Sequence, residues 1–262
     1  MDLQNKTVLI TGASGGIGEF ISRQLVDAGA SLIAVGHQAE PLQAMLDSLT
    51  GQHSCVAADL TTTEGIQSVL DEVNKRGGVD ILINNAGVAQ FGMLEQQSVN
   101  ALSAQINVNL LAPMLLIQAL LPLLKQSKTP AIVNMGSTFG SIGYSGFTAY
   151  CASKFGLRGF TEALRRELAD TSIRLFYLAP RATRTPINND QVVAMNQELG
   201  NRMDEPEVVA RHLIQLLQKD KARIRYIGWP EKLFVFINSI LPQIVDRALF
   251  KQLSVIRRFA QQ

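Results

Sequence analysis

The stretch TVLITGASGGIG, residues 7–18, joins a short apolar run to a glycine-rich loop. The apolar run has the composition of a buried strand, and a helical pattern begins at Ile17. In such a loop Gly12 permits a sharp exit from the strand, Gly16 lets the backbone approach a pyrophosphate, and Gly18 lets the helix pack closely on the sheet. Because the first turn of the helix offers unpaired N–H groups and a positive dipole end, the stretch predicts a phosphate-binding loop.

Apolar runs and helical patterns alternate along the rest of the chain. Six further runs have strand composition: 31–35, 54–58, 80–84, 131–135, 173–178 and 224–227. The helical patterns lie at 17–28, 41–49, 63–75, 103–125, 149–169 and 204–217. Strands that are apolar on both faces and alternate with helices indicate a parallel sheet covered on both sides. We therefore predict an α/β protein with a doubly wound, seven-stranded parallel sheet, the Rossmann fold.

Composition excludes several classes of protein. The 262 residues are 47% hydrophobic, which is enough for a substantial core and argues against disorder. With 24 Lys and Arg against 22 Asp and Glu, the net charge of +2 predicts no nucleic-acid partner. Cys55 and Cys151 form no disulfide framework, and the spacing of cysteines and histidines predicts no metal site.

No segment has the pattern of a signal peptide or a spanning helix. The first apolar run is too short for a signal region. The apolar stretches 110–124 and 233–245 are interrupted by prolines and polar residues and fall short of the ~20 residues that a span needs. We therefore expect a cytoplasmic protein.

Tyr150 and Lys154 are the strongest candidates for chemistry. They lie four residues apart in a helical pattern, so both side chains are on one face. An ammonium group near a tyrosine favours the phenolate, and we therefore expect Lys154 to lower the pKa of Tyr150. Tyr150 would then donate or accept a proton in general acid–base catalysis.

The order of the motifs resembles the short-chain dehydrogenase/reductase family over about residues 5–228. The glycine loop reads TGxxxGxG, Asp59-Leu60 follows the third strand, Asn85-Ala86-Gly87 follows the fourth, and Tyr150 to Lys154 reads YxxxK with Ser137 upstream. The resemblance implies a hydride transfer between a nicotinamide cofactor and a carbonyl or secondary alcohol. The alternative is a catalytically silent sensor or scaffold of the same fold that binds a dinucleotide.

The resemblance also assigns roles to residues. Ser137 and Tyr150 would bind the substrate oxygen, and Asn109 would order a water next to Lys154; Asn107 is the neighbouring alternative to Asn109. Relatives associate through the helices that correspond to 103–125 and to the catalytic helix at 149–169, so we expect a homodimer or homotetramer. The catalytic residues implied are Asn109, Ser137, Tyr150 and Lys154. The cofactor-binding residues implied are Gly12, Ser14, Gly16, Ile17, Gly18, His37, Asp59, Leu60, Asn85, Ala86, Gly87, Tyr150, Lys154, Thr183 and Thr185.

The end of the second strand indicates the cofactor. NAD-preferring relatives place an acidic residue there, whereas this chain has Gly36 and then His37. The lack of an acid removes repulsion toward a 2′-phosphate, and His37 can donate a hydrogen bond to it. One observation argues against NADP(H): Gly15 occupies a position where many NADP enzymes carry a basic residue. We expect NADP(H) to be favoured over NAD(H).

One loop departs from the family pattern. Residues 180–185 read PRATRT, with Arg181 in place of the usual glycine. Arg181 is an ordinary residue in a permissive backbone conformation, or else Arg181 or Arg184 meets an anionic substrate or a cofactor phosphate. The segment 181–203 and three aromatic residues are expected to border a pocket for a lipophilic carbonyl: Phe139, Tyr144 and Phe147.

The chain ends in an apolar and then basic segment. We predict one dehydrogenase domain over residues 1–228 and an extension, 229–262, packed on it. Apolar clusters next to cations also suit a helix in a membrane interface, so peripheral membrane contact is the less favoured alternative.

Overall fold

The computed structural model describes residues 1–219 and 224–261. Within these ranges seven strands form one sheet in the order β3-β2-β1-β4-β5-β6-β7, and every pair of neighbours is parallel. The strands are β1 (Thr7–Thr11), β2 (Ser31–Gly36), β3 (Ser54–Ala57), β4 (Ile81–Asn84), β5 (Ala131–Met135), β6 (Arg174–Ala179) and β7 (Ile224–Tyr226). The predicted fold class is confirmed. The strand order reverses between β1 and β4, which opens a crevice at their carboxyl ends.

Helices cover both faces of the sheet and form the tail. They are α1 (Ile17–Asp27), α2 (Ala39–Asp47), α3 (Thr63–Lys75), α4 (Val99–Ile106), α5 (Ala112–Leu124), α6 (Thr148–Glu167), α7 (Asp190–Glu198), α8 (Pro206–Lys219), α9 (Trp229–Ile240), α10 (Pro242–Phe250) and α11 (Leu253–Ala260). A π-helical turn, Asn107–Leu111, joins α4 to α5. The helix predicted from Ser103 therefore begins at Val99, because the Ser98 hydroxyl caps it by accepting from the N–H of Ala101.

Alternate residues of each strand point to opposite faces and build two cores. Val8 and Ile10 of β1 pack on one face with α1, α2 and α8, and Leu9 packs on the other face with α3, α5 and α6. These side chains are fully buried, and each contributes about 1.5–3 kcal/mol of hydrophobic stabilisation. The central strands are consequently apolar over most of their length, as in other parallel sheets, with Asn84 and Asn134 as buried polar exceptions.

The joined helix Val99–Leu124 is long and apolar enough to cross a bilayer, judged by length and composition alone. The stretch 110–124, which is too short to span a bilayer by itself, is thus part of a longer helix that continues upstream through the π turn. Its inner face nevertheless packs into the protein, where Leu116, Leu120 and Leu124 are fully buried against the sheet. Core helices share this combination of length and apolar composition.

The tail helices contact the body of the protein through both apolar and polar groups. Val245 and Ile256 are buried. The Asn238 side chain donates to the Ser141 carbonyl at 2.9 Å. Several apolar side chains of the tail stay exposed: Trp229, Leu233, Phe236, Ile240, Ile244 and Phe250. The predicted division at residue 228 stays a prediction, and residues 220–223 and 262, which its ranges include, lie outside the described residues.

A buried polar chain links three elements beneath the carboxyl edge of the sheet. The Asn84 side chain donates to Asn134 Oδ1 at 2.8 Å, and Asn134 Nδ2 donates to Thr161 Oγ1 at 2.8 Å. All three residues are almost inaccessible to solvent. Because a buried polar group that loses its partner keeps its full desolvation cost, this chain fixes β4, β5 and α6 relative to one another.

Replacing Asn134 by leucine tests this chain. Asn134→Leu leaves Asn84 and Thr161 without their partner, so we expect a loss of about 2 kcal/mol in the free energy of unfolding, measured by urea denaturation. The control Asn74→Leu, at an exposed position of α3, should change the stability by no more than about 0.5 kcal/mol. Equal stability of the two variants would contradict the assignment.

Candidate active site

The glycine loop has the geometry of an anion site. Gly12 and Gly16 have φ angles of 61° and 46°, in the left-handed region that favours glycine. A Cβ on Gly16 would lie 3.1 Å from the Thr185 side chain, and one on Gly18 would lie 1.9 Å from the Gly12 carbonyl oxygen. No side chain caps the start of α1. The Gly18 N–H donates to the Gly15 carbonyl oxygen at 2.8 Å, so the other N–H groups of the first turn are the ones that can meet a phosphate. Ser14 lies half-buried on the same loop.

The loop after β4 is tied to the glycine loop. Asn85 Nδ2 donates to the carbonyl oxygens of Thr11 and Gly12, at 3.1 Å each. Thr11 Oγ1 in turn accepts from the N–H groups of Asn85 and Ala86, at 3.0 Å each. The Asn85 side chain therefore joins the ends of β1 and β4, and with Gly87 it lines the crevice between them.

One end of the crevice is a cavity between the ends of β1, β2 and β3. Gly36, His37, Asp59 and Leu60 line it. Hydrogen bonds from the N–H and hydroxyl of Thr61 lower the pKa of Asp59 and hold its carboxylate in a turn. His37 is exposed at the rim. Three predicted cofactor contacts, His37, Asp59 and Leu60, are thus brought together at one end of the crevice.

Tyr150, Lys154 and Ser137 meet at the other end. The Lys154 side chain is buried, with the residue 4% exposed, and its Nζ donates to the Met135 carbonyl oxygen at 3.0 Å. Nζ also lies 5.7 Å from the centroid of the Tyr150 ring. Phe139, Tyr144 and Phe147 line the cleft beside Tyr150 and Ser137. A small polar group in an aromatic pocket is the usual form of a site for a small organic substrate.

Burial is the main cause of the shifted pKa values of Tyr150 and Lys154. It raises the pKa of Tyr150 to about 12, against a smaller lowering by a hydrogen bond with Ser137. Burial also lowers the pKa of Lys154 to about 8. The expectation that Lys154 brings the pKa of Tyr150 below its ordinary value is therefore wrong for the protein groups alone, because desolvation of the phenolate outweighs the other contributions.

Asn109, in the π-helical turn, forms hydrogen bonds with both the loop after β4 and helix α6. Its Oδ1 accepts from the Val88 N–H at 2.8 Å, and its Nδ2 donates to the Val88 carbonyl at 2.8 Å and to Ser153 Oγ at 3.0 Å. Asn109 is fully buried, whereas Asn107 is exposed on the other side of the turn. Asn109 is therefore the member of the pair that faces the site. Its expected role in ordering a water stays a prediction.

Tyr177 is a site residue that the sequence reasoning missed. It is fully buried in β6 below the Ser137 loop, and its hydroxyl accepts from the Ser137 N–H and donates to the Lys154 carbonyl, at 3.4 Å each. A Cβ on Gly136 would lie 2.0 Å from the Tyr177 ring, and one on Gly140 would lie 2.3 Å from its hydroxyl. The two glycines around Ser137 were the available signal that a bulky side chain packs against this loop.

The arginines of the 180–185 loop are paired within the chain. Arg181 makes a two-pronged contact with Asp204, at 2.9 and 2.6 Å, and its other nitrogen lies 3.3 Å from Glu231 of α9. Arg184 pairs with Glu205 at 3.1 Å. Arg181 does not have a positive φ, so an ordinary residue suffices where relatives carry glycine. Its two carboxylate partners argue against a role in binding an anionic substrate.

The threonines of this loop complete the rim of the cleft. Thr183 is buried, and its hydroxyl donates to the Arg181 carbonyl at 2.9 Å. Thr185 lies next to Gly16, and both line the opening with Ile17. The crevice thus runs from His37, past the glycine loop, to Tyr150.

The buried amine predicts a pH-dependent stability. The pKa of Lys154 falls from 10.5 to about 8 on folding, so between these values the unfolded chain binds a proton that the folded chain has lost. Stability attributable to this group therefore rises with pH through that window. We expect the difference in free energy of unfolding between the unaltered protein and Lys154→Met to shift in favour of the unaltered protein from pH 8 to pH 10. Urea denaturation at each pH measures it.

An exposed lysine supplies the control for that measurement. Lys75 has a side chain that is 80% exposed, so the corresponding difference for Lys75→Met should not vary over the same pH range. A flat profile for Lys154→Met would show that its amine is not desolvated in the folded protein.

Comparison with known proteins agrees with this geometry. Residues 6–196 match the model of the short chain dehydrogenase family. The chain is 31% identical over 230 residues to the 3-oxoacyl-[acyl-carrier-protein] reductase FabG of Vibrio harveyi, an alignment that covers 86% of this chain and 94% of that protein. It is 29% identical over 255 residues to the ketoacyl reductase HetN of Nostoc sp., an alignment that covers 94% of this chain and 88% of that protein.

A solved structure extends the likeness to the tail. A short-chain dehydrogenase from Streptomyces avermitilis superimposes with a TM-score of 0.81 at 26% identity, over 96% of this chain and 99% of that one. Since the family model covers the chain from β1 to α7, with the glycine loop and Tyr150 inside it, the chain belongs to the short-chain dehydrogenase/reductase family and is an NAD(P)-dependent oxidoreductase.

Proposed function

We propose that the chain reduces a lipophilic carbonyl compound, or oxidises the corresponding secondary alcohol, with NADP(H) in preference to NAD(H). The observation that carries this proposal is the convergence of Ser137, Tyr150 and Lys154 at one end of a crevice that begins at His37 and passes the glycine loop. The curated relatives named as 3-oxoacyl and ketoacyl reductases support a carbonyl within an acyl chain as substrate. They give no support to the silent scaffold.

The residues present fit a dinucleotide. The open start of α1 and the left-handed glycines would bind the pyrophosphate. The adenosine half would lie against His37, Asp59 and Leu60. The nicotinamide half would lie against the loop after β4. The other proposed contacts are Ser14, Ile17, Gly18, Ala86, Thr183 and Thr185. When bound, the nicotinamide supplies or accepts the hydride.

The side chains of the protein supply binding and proton transfer. The Ser137 hydroxyl would hold the substrate oxygen next to Tyr150. With a pKa of about 12, Tyr150 keeps its proton at neutral pH and is ready to donate it to the oxygen of a carbonyl as that oxygen gains charge. Lys154, held by Met135, would then stabilise the phenolate that Tyr150 becomes.

Removing one hydroxyl tests the proposed proton donor. Tyr150→Phe keeps the ring but has no proton to transfer, so we expect kcat to fall by at least ~10²-fold while the Kd for NADPH changes little. The rate of NADPH consumption with a panel of ketones and aldehydes measures kcat. Tyr226→Phe makes the same chemical change in β7 and should keep full activity; full activity in Tyr150→Phe would remove Tyr150 from the mechanism.

His37 is the proposed selector of the cofactor. A carboxylate at this position would repel a 2′-phosphate and accept a hydrogen bond from a ribose hydroxyl. We expect His37→Asp to lower the ratio of kcat/KM for NADPH over NADH by at least about tenfold, equivalent to about 1.4 kcal/mol. Gln52→Asp, an exposed position after α2, makes a comparable acidic change and should leave the ratio alone. An unchanged ratio in both variants would mean that His37 is not the selector.

We also propose that the chain assembles as a homodimer or homotetramer through α4, α5 and α6. These helices and the π-helical turn between α4 and α5 leave four apolar side chains exposed on the single chain: Val99, Ile106, Leu111 and Phe155. We expect light scattering at micromolar concentration to give at least twice the mass of one chain, and the double variant Leu111→Glu/Phe155→Glu to dissociate. The mass of one chain for the unaltered protein would contradict the proposal.

The tail is proposed to cover the substrate side of the cleft. Support comes from Tyr144, whose hydroxyl donates to Gln252 of the tail at 2.9 Å, and from Arg181, which contacts Glu231. Tyr144 and Arg181, the two residues that the tail contacts here, both line the substrate cleft. These contacts favour a packed cover over the alternative of a helix that lies in a membrane surface.

A further inference from the structure

A second chamber lies behind the catalytic cleft, between the serine loop and the tail. It is partly open to solvent and has a cavity volume of about 390 Å³, within the ~300–1,000 Å³ of ordinary ligand pockets. Phe139 and Tyr144, stacked with ring centroids 4.8 Å apart, line both the cleft and the chamber. Phe234 of α9 and Leu249 of α10 form the far wall. The two spaces are therefore neighbours that share an aromatic wall.

The chemistry of the chamber favours an uncharged, apolar guest. Most of its lining surface is apolar, with aromatic and aliphatic side chains from the serine loop and the tail: Phe139, Ile142, Phe234, Val245 and Leu249. Arg181 also borders it, but Asp204 and Glu231 already occupy the guanidinium group. The other arginine of the lining, Arg202, is exposed. A carboxylate or phosphate would have to reach the exposed Arg202, because the guanidinium group of Arg181 is already paired.

The wall of the chamber opposite Phe139 is built by a part of the chain that the family match does not include. The match ends at residue 196, whereas the far wall belongs to residues 230–252. Hydrogen bonds from Asn238 to Ser141 and from Tyr144 to Gln252 fix that wall to the cleft. Six lining residues are common to the cleft and the chamber, so a substrate whose carbonyl lies at Ser137 and Tyr150 would extend toward the chamber along them: Thr138, Phe139, Tyr144, Arg181, Ala182 and Asn196.

We infer that the chamber is a subsite for an unbranched hydrocarbon chain attached to the reacting carbonyl, and that the tail sets the chain length the enzyme prefers. This inference rests on the proposed function, because it places the carbonyl at Tyr150. The substrate class is then a medium-chain ketone or 3-oxoacyl compound. Each methylene that enters the chamber leaves water, which favours the longer substrate until the chamber is full.

The test compares two tryptophan substitutions on α10. Leu249→Trp fills the chamber, and Ile244→Trp puts the same side chain on an exposed position that does not line it. kcat/KM is measured with NADPH and methyl ketones from butan-2-one to decan-2-one. We expect kcat/KM of the unaltered protein to rise along the series, Leu249→Trp to lose about tenfold or more with decan-2-one but little with butan-2-one, and Ile244→Trp to follow the unaltered protein.

Calorimetric binding of decan-2-one to the NADPH-loaded protein separates this inference from the proposed function. If no ketone is reduced, the proposed function fails; binding that Leu249→Trp abolishes and Ile244→Trp keeps still supports the chamber. If ketones are reduced but neither kcat/KM nor binding responds to chain length or to Leu249→Trp, the chamber inference is overturned and the proposed function stands.

Discussion

The arrangement of the site depends on one buried amine. Lys154 extends from α6 beneath Tyr150 and donates to the carbonyl oxygen of Met135, the last residue of β5. A charged amine inside a protein is costly unless it has partners, so this contact strongly restricts where α6 can lie above the sheet edge. The same burial brings the pKa values of Lys154, about 8, and Tyr150, about 12, away from their ordinary values in opposite directions. Position and proton affinity thus have a common physical cause.

Amide and hydroxyl side chains hold the elements around this amine. Asn109 connects the loop after β4 to α6, Asn85 connects that loop to the glycine loop, and Tyr177 connects the serine loop to the backbone of Lys154. Each of these polar groups is satisfied inside the protein. Their hydrogen bonds keep the site in one geometry before any substrate arrives, which is what efficient catalysis requires.

The sequence predicted what local patterns can encode. Alternating apolar runs and helical periods were enough for the doubly wound sheet, because those patterns report burial on both faces. Helix α7 was not predicted, since it has only nine residues and its signal is little more than the Asn189 cap. The Tyr177 contact, the pairing of Arg181 with Asp204 and Glu231, and the raised pKa of Tyr150 depend on residues far apart in sequence. No local pattern carries that information. The four-residue spacing of Tyr150 and Lys154 predicts that the two side chains lie close together, but it does not reveal how much burial disfavours the phenolate.

The most direct test of this account is the titration of Tyr150 itself. Ultraviolet difference spectra between the unaltered protein and Tyr150→Phe isolate the phenolate of this residue from those of the other tyrosines. We expect a pKa near 12 for the protein alone, and a lower pKa when saturating NADP⁺ brings its positively charged nicotinamide ring into the cleft. An ordinary pKa near 10 that does not respond to NADP⁺ would show that Tyr150 is neither desolvated nor coupled to the cofactor site, and would contradict the account.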